Sequence, residues 1–380
     1  MEVFMNLGVP KEIKNNEWRV GLVPSSVREL VHHGHSVLVE TNAGGGIGIS
    51  DEDYKEAGAS IASNPEEIFK ASELIVKVKE PQHSELKLLR SGQILFTYLH
   101  LAADKKQTQG LIDSKCIAIA YETVTSPKGG LPLLMPMSEV AGRMSIQVGA
   151  HCLEKAKAGS GVLLGGVPGV KPGKVTIIGG GVVGTNAARM AIGLGANVTI
   201  IDKSIQRLAE LEMYFGPRLR TLYSTFEAIE QCVTDSDLVV GAVLVPGATA
   251  PKIVTETMIK KMRKGSVLID VAIDQGGCFE TSRPTSFSDP TYIEHGIVHY
   301  CVTNMPGGVA RTSAFALNNA TLPFVLTLAQ KGYKKAMLGN HHLLAGLNVC
   351  QGHVTYKAVA QDLGYTYVDP EKFLSRKTAA

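Results

Sequence analysis

Ile177-Ile178-Gly179-Gly180-Gly181-Val182-Val183-Gly184, in mid-chain, reads as a strand that enters a glycine turn and leaves it as a helix. Each glycine has a mechanical reason to be there. Gly179 permits the tight turn, Gly181 lets backbone come close to a pyrophosphate, and Gly184 lets the helix pack against the strand. The pyrophosphate then rests at the helix N-terminus, where N–H groups and the helix dipole favour negative charge. Glycine spacing alone is a weak signal, but the context is right. Lys174 to Ile178 reads as a buried strand, Thr185 to Leu194 as a helix, and Asn197 to Asp202 as a second buried strand. Asp202 lies 23 positions after Gly179, near the spacing expected of a carboxylate that accepts ribose hydroxyls. Together these features predict a dinucleotide site.

The 380 residues and 44% hydrophobic content suffice for two cores. Lys plus Arg number 38 against 35 Asp plus Glu, a net charge of only +3 with no basic run, so small molecules are the expected partners and no nucleic acid is. Six dispersed cysteines without a C-x-x-C pair suit reduced thiols in a cytoplasmic protein and argue against zinc. The N-terminus lacks the pattern of a signal peptide, and no segment approaches the roughly 18 apolar residues that span a membrane, so no membrane partner is expected. Before the fingerprint, apolar segments at Val37–Glu40, Leu74–Val78, Ile94–Leu99 and Ile117–Ala120 alternate with helical stretches such as Asp51–Ala57. That alternation predicts a parallel α/β sheet. A helix from about Ser138 to Ala158 leads toward the fingerprint, and strands at Leu238–Gly241, Val267–Asp270 and Val298–Val302 complete a Rossmann sheet. The tail turns helical through Phe315 to Ala329 and is expected to return to the first domain. The expected fold is α/β with two Rossmann-like parallel-sheet domains and a cleft between them, the nucleotide domain (133–308) inserted into a discontinuous substrate domain (1–132 and 309–380).

Polar residues that follow strands are the candidates for chemistry, because open α/β sheets place ligands at strand ends. Arg19 offers a planar fork that can clamp a carboxylate, although an exposed arginine beside a turn is the plainer reading of that residue alone. Lys77 and Lys79 flank the end of an apolar strand, and alternation places them on one face; a lysine there can polarise a carbonyl or simply be solvated. His100 follows Ile94 to Leu99 and can exchange protons near neutrality, as against a structural histidine held by hydrogen bonds. Asp270 and Asp274 follow Val267 to Ile269, with Asp270 readable as a structural cap and Asp274, further beyond the strand, as the better candidate for chemistry. Asn304 follows the strand ending at Val302 and can hydrogen-bond a nicotinamide amide or form a turn. Leu133 and Met137 are candidates for lining a side-chain pocket.

Several long strings resemble the bacterial L-alanine dehydrogenases, within the wider alanine dehydrogenase and transhydrogenase alpha-subunit family, essentially from end to end. They are Lys14-Asn15-Asn16-Glu17 leading to Arg19-Val20, Val76 to Pro81, Met137 to Arg143, Gly241 to Gly247, Asp270 to Gly277 and Asn304-Met305-Pro306. The resemblance implies NAD-dependent, reversible deamination of L-alanine to pyruvate and ammonium by a homohexamer. It implies that Arg19 and Lys79 bind the keto acid and that His100 and Asp274 are the acid/base pair. Nucleotide contacts are implied for Ser138, Val182, Asp202, Arg207 and Ser224, and for Val243, Leu244, Asn304 and Met305. The same site is expected to take in Gly179, Gly181 and Gly184, the turn Val271-Ala272-Ile273-Asp274, Arg283, and Val302 with Thr303. Two departures stand out. Arg207 occupies a position where some relatives carry lysine, and Lys203 follows Asp202, so two cations stand near a possible 2′-phosphate; the Asp202 carboxylate still favours NAD. Thr327 and Lys331 replace an acid and a histidine that hold a divalent ion in some members, so no metal is expected. The rival readings are a nucleotide-binding transhydrogenase subunit, a non-catalytic NAD-sensing module, and a dehydrogenase for another amino acid.

Overall fold

The computed structural model describes residues 4–243 and 250–376. In chain order its strands are β1 (Asn6–Val9), β2 (Ser36–Glu40), β3 (Ser60–Ala62), β4 (Leu74–Val76), β5 (Ile94–Thr97) and β6 (Ile117–Ala120). Then come β7 (Lys174–Ile178), β8 (Asn197–Asp202), β9 (Leu219–Tyr223), β10 (Leu238–Gly241), β11 (Val267–Asp270), β12 (Thr291–Glu294) and β13 (Ile297–Tyr300), and last β14 (Leu347–Cys350) and β15 (His353–Val354). They form two sheets, ordered β15-β14-β6-β5-β4-β1-β2-β3 and β12-β13-β11-β10-β7-β8-β9. The backbone divides into two compact units, Met1–Met137 with Val309–Ala380, and Ser138–Gly308.

Both sheets follow one winding rule. In the first unit the chain steps from β1 to β2 and β3, returns to the far side of β1 as β4, and continues through β5 and β6, all parallel. In the second, β7 leads to β8 and β9, and β10, β11 and β13 run on from the other side of β7, again parallel. Sheets wound this way open a crevice outside the strand carboxyl ends where the order reverses. That place lies between β1 and β4 in one unit and between β7 and β10 in the other. Each unit has its own core: Ile75, Leu95, Ala118 and Val349 belong to one cluster, and Val239, Leu268, Met258 and Phe279 to another. Strands β4, β5, β6, β10 and β11 are buried at every position, as central parallel strands covered on both faces must be.

The sheet edges depart from the purely parallel expectation. β12 runs antiparallel to β13, and β14 runs antiparallel to both β6 and β15. Two-residue turns explain the two hairpins: His295-Gly296 and Gln351-Gly352 all have positive φ, the geometry that matches the twist of tightly connected strands. The long helix Ala310–Leu338 is broken at Gly332, where φ is 70°. Its buried Asn318 accepts the Val23 N–H at 2.8 Å, tying the late segment to the turn after β1. No helix among the described residues is long and apolar enough to cross a membrane.

Candidate active and nucleotide sites

In the first unit the loops after β1, β4 and β5 carry the candidate chemistry. Arg19 is only 2% exposed, so the surface reading of that residue does not hold. Glu17 grips one edge of the guanidinium: Nε donates to Oε1 at 2.7 Å and Nη2 to Oε2 at 2.6 Å, while the Arg19 N–H also donates to Oε1 at 3.0 Å. Nη1 lies 3.0 Å from the Met137 sulfur. Burial by itself raises the Glu17 carboxyl, but the hydrogen bonds and charge of Arg19 outweigh it and hold Glu17 below its ordinary value. A cavity of 230 Å³ opens here, lined among others by Glu12, Glu17, Trp18 and Arg19.

β4 ends at Val76, so strand alternation does not extend to the two lysines beyond it, and their environments differ. Lys77 is fully buried, its Nζ 2.7 Å from Glu85 and 3.2 Å from Glu12. The two carboxylates overcome the effect of burial and hold its ammonium charged. The second Glu12 oxygen accepts the N–H groups of Val78 at 2.7 Å and Lys79 at 3.3 Å, fixing the turn that carries Lys79. Lys79 is partly buried. Burial first, and then the Arg19 guanidinium, lower its ammonium below the ordinary lysine value.

After β5, Tyr98 is buried and donates its hydroxyl to the Leu133 carbonyl at 2.6 Å. The exposed His100 ring stacks on it, centroids 6.0 Å apart and 12° from parallel. His100 holds a left-handed backbone, φ 51° and ψ 42°, a conformation that costs a residue with a side chain about 1–3 kcal/mol. Glu122, just after β6, sustains it by accepting the His100 N–H at 2.6 Å and the Leu99 N–H at 3.1 Å.

The second unit places its candidates after β7, β8, β10, β11 and β13. A Cβ on Gly184 would stand 1.8 Å from the Gly179 carbonyl oxygen, and Gly179 has φ 103°, so both are glycine for reasons internal to the protein. Gly181 is different. A Cβ there meets no protein atom within 4 Å, and its φ of −67° suits any residue, so the space beside it is available to a ligand. Exposed Val182 opens the helix Val182–Gly193 at that point. Asp202 accepts the Gly180 N–H at 2.6 Å through Oδ2 and the Ser204 N–H at 2.8 Å through Oδ1, which leaves each oxygen a second lone pair for a ribose hydroxyl. The Ser224 N–H donates to the Asp202 carbonyl at 3.0 Å. The residues present therefore fit a dinucleotide.

The remaining candidates line the other strand ends. Asp270 is fully buried and accepts from the N–H groups of Ala272, Cys278 and Phe279 and from the Ser282 hydroxyl; burial raises its carboxyl against those bonds. Asp274 is exposed in the short helical turn Val271–Gln275, where Val271 is partly buried and Ala272 and Ile273 are buried. Arg283 lies 4.0 Å above the Tyr292 ring. Val302 and Met305 are buried, Thr303 is exposed, and Asn304 has a left-handed φ of 58°. Ser138 and Val243 are partly buried, and Leu244 lies outside the described residues. Thr327 donates its hydroxyl to the Pro323 carbonyl at 2.7 Å. Sequence reasoning did not single out Glu12, Glu17 or Glu122 as partners of these groups, nor Thr185 and Glu210, which accept from Arg207 Nη2 at 2.8 Å and Nη1 at 2.6 Å. Glu210 had a usable signal, an acid three positions after Arg207 on a helix; Glu17, two positions before Arg19 and outside any helix, and the long-range partners Glu12 and Glu122 had none.

A glycine turn at one switch point and buried cations at the other define a two-unit, nucleotide-dependent enzyme. The chain belongs to the alanine dehydrogenase/PNT family, whose N-terminal domain matches residues 8–141 and whose C-terminal domain matches residues 145–357. It is 60% identical to an alanine dehydrogenase of Halomonas elongata, over 96% of this chain and 98% of that one, and 58% identical to one of Staphylococcus haemolyticus, over 97% and 99%. A solved L-alanine dehydrogenase superposes with a TM-score of 0.93 at 54% identity, covering 95% of this chain and 99% of the other. A transhydrogenase from Sinorhizobium meliloti, at 23% identity and a TM-score of 0.81 over 92% and 100%, shares the fold.

Proposed function

We propose that the chain is an L-alanine dehydrogenase that converts, reversibly, L-alanine, NAD and water into pyruvate, ammonium, NADH and a proton. One observation carries this reading. In a chain 60% identical to an alanine dehydrogenase along nearly its whole length, Arg19, Lys79 and His100 follow β1, β4 and β5 of a single sheet. The cofactor is NAD. Bound, it would supply the acceptor for the hydride of the alanine Cα; binding, orientation and proton movement fall to the chain's own groups. The N-terminus of Val182–Gly193, with Gly179 and Gly181, receives the pyrophosphate, and Asp202 receives ribose hydroxyls. Arg19, gripped by Glu17 along its Nε edge, turns its other edge to the substrate carboxylate, and the Lys79 ammonium polarises the carbonyl. His100 and Asp274 take and return the protons by which water adds to the iminium carbon and ammonium departs. The first unit is then the substrate domain and the second the nucleotide domain.

The transhydrogenase reading rests on likeness of fold alone, and exchange between nucleotides gives Arg19 and Lys79 no carboxylate to hold. A homohexamer in the cytoplasm completes the proposal. Supporting the compartment, the six cysteines are all unpaired, as a reducing environment keeps them; light scattering of the purified protein tests the assembly. The activity is tested by NADH formation at 340 nm with NAD and a panel of amino acids, with NADP in parallel. Turnover of L-alanine with NAD, reversed by pyruvate and ammonium, is the expected result. Hydride exchange between nucleotides without turnover of any amino acid would overturn it.

A further inference from the structure

The glycine turn is braced at one residue from both sides. Asp202 Oδ2 accepts the Gly180 N–H at 2.6 Å, and Arg207 Nε donates to the Gly180 carbonyl at 2.7 Å. The same guanidinium donates through Nη2 to the Thr185 hydroxyl at 2.8 Å and through Nη1 to Glu210 Oε2 at 2.6 Å. Thr185 in turn donates to the Gly181 carbonyl at 2.7 Å, so Arg207 reaches two successive peptides of the turn. Three acceptors in three directions suit the rigid fork of an arginine. The sequence sets two cations beside Asp202, and the geometry separates them. Lys203 is exposed, with no hydrogen bond or ion pair to another described residue, whereas all three nitrogens of Arg207 are engaged and its charge is matched by Glu210.

We propose that Arg207 and Glu210 form a specificity element of the nucleotide site. Arg207 positions the Gly180 peptide, and Glu210 holds the guanidinium in that pose. Its charge is thereby withheld from a 2′-phosphate, and a second carboxylate joins Asp202 in repelling one. The proposal rests on the nucleotide reading of this unit and deepens it, since it assigns discrimination against a 2′-phosphorylated dinucleotide to a residue beyond Asp202.

Equilibrium binding of NADH and NADPH, read from nucleotide fluorescence, tests this without turnover. Glu210→Gln keeps the side-chain size and removes its charge. At low salt its Kd for NADPH falls about two- to fivefold relative to its Kd for NADH, the range of one exposed charge pair. The gain disappears at high salt, where exposed charges are screened. Arg207→Met weakens NADH by about tenfold and NADPH by at least as much, because a brace on the turn is lost and the Glu210 charge is left unmatched. An unchanged ratio of the two Kd values in Glu210→Gln, or a loss confined to NADPH in Arg207→Met, overturns the proposal while leaving the nucleotide reading intact. A wild-type protein that binds neither nucleotide overturns both.

Discussion

Arg19 and Glu17 behave as one object, a buried ion pair with Nη2 and Oε2 2.6 Å apart. Removing one member of such a pair costs about 3–5 kcal/mol, so Arg19→Ala depresses Tm as well as pyruvate affinity. Adding Glu17→Gln to Arg19→Ala recovers most of the Tm and none of the affinity; thermal melts and pyruvate binding to the NADH complex, measured on both variants, separate the two effects. Recovery of affinity in the double variant would remove Arg19 from the substrate site. Lys79 makes a second prediction. Its lowered ammonium loses charge at a less alkaline pH than the ordinary lysine value of 10.5. The charged form is the one that holds a keto acid, so pyruvate affinity stays level at low pH and falls as pH rises through the lowered value. Lys79→Arg, which stays charged, abolishes that decline in a pH series of pyruvate affinities; a decline that persists unchanged assigns it to another group. At this scale sequence named the residues after each strand but not their surroundings. Arg19 read as a surface residue because its partner and its cover, Glu17 and Met137, declare no burial in their local pattern.

The elements show why the glycine turn was so readable. Each of its requirements is local: a strand of five residues, a turn, and a helix start within one short stretch, with β8 delivering Asp202 immediately after. The glycines nevertheless answer to different neighbours. Gly184→Ala drives a Cβ into the Gly179 carbonyl, and it is expected to lower stability and NADH affinity together. At Gly181→Val the added Cβ meets no protein atom within 4 Å, so the expected stability cost is that of a poorer helix N-cap, about 0.5–2 kcal/mol, while NADH affinity falls by at least about tenfold. Denaturation curves and NADH titrations of the two variants provide the check, and normal NADH binding by Gly181→Val would place the pyrophosphate elsewhere. The parallel strands β5, β6, β10 and β11 were equally legible as unbroken apolar runs. The antiparallel edges were not, because His-Gly and Gln-Gly are faint turn signals beside Asn-Gly and the strands they join are two to four residues long.

For the whole molecule, the units differ in how they use the chain. Ser138–Gly308 is continuous and owns both its sheet and its core, so expressed alone it is expected to fold cooperatively and bind NADH. A chain ended at Gly308 has a different fate. β6 loses its neighbour β14, the first core loses Val349, Val354, Val359 and Ala360, and the Val23 N–H loses Asn318. Aggregation or proteolysis of its first part is the expected outcome, detected by limited digestion in parallel with the excised second unit; a protease-resistant 1–137 segment in that chain would contradict it.

The late arrival of β14 and β15 also sets a timetable. Synthesis runs from the N-terminus, so the unit begun first is the one finished last: β1 to β6 emerge early and wait, with an unpaired edge, while the second unit is made and can close on its own. At about 5–20 residues per second, the stretch after Gly308 takes several more seconds to appear. During that interval the nascent chain carries a sheet with a bare margin, and only the arrival of β14 supplies the strand that covers it.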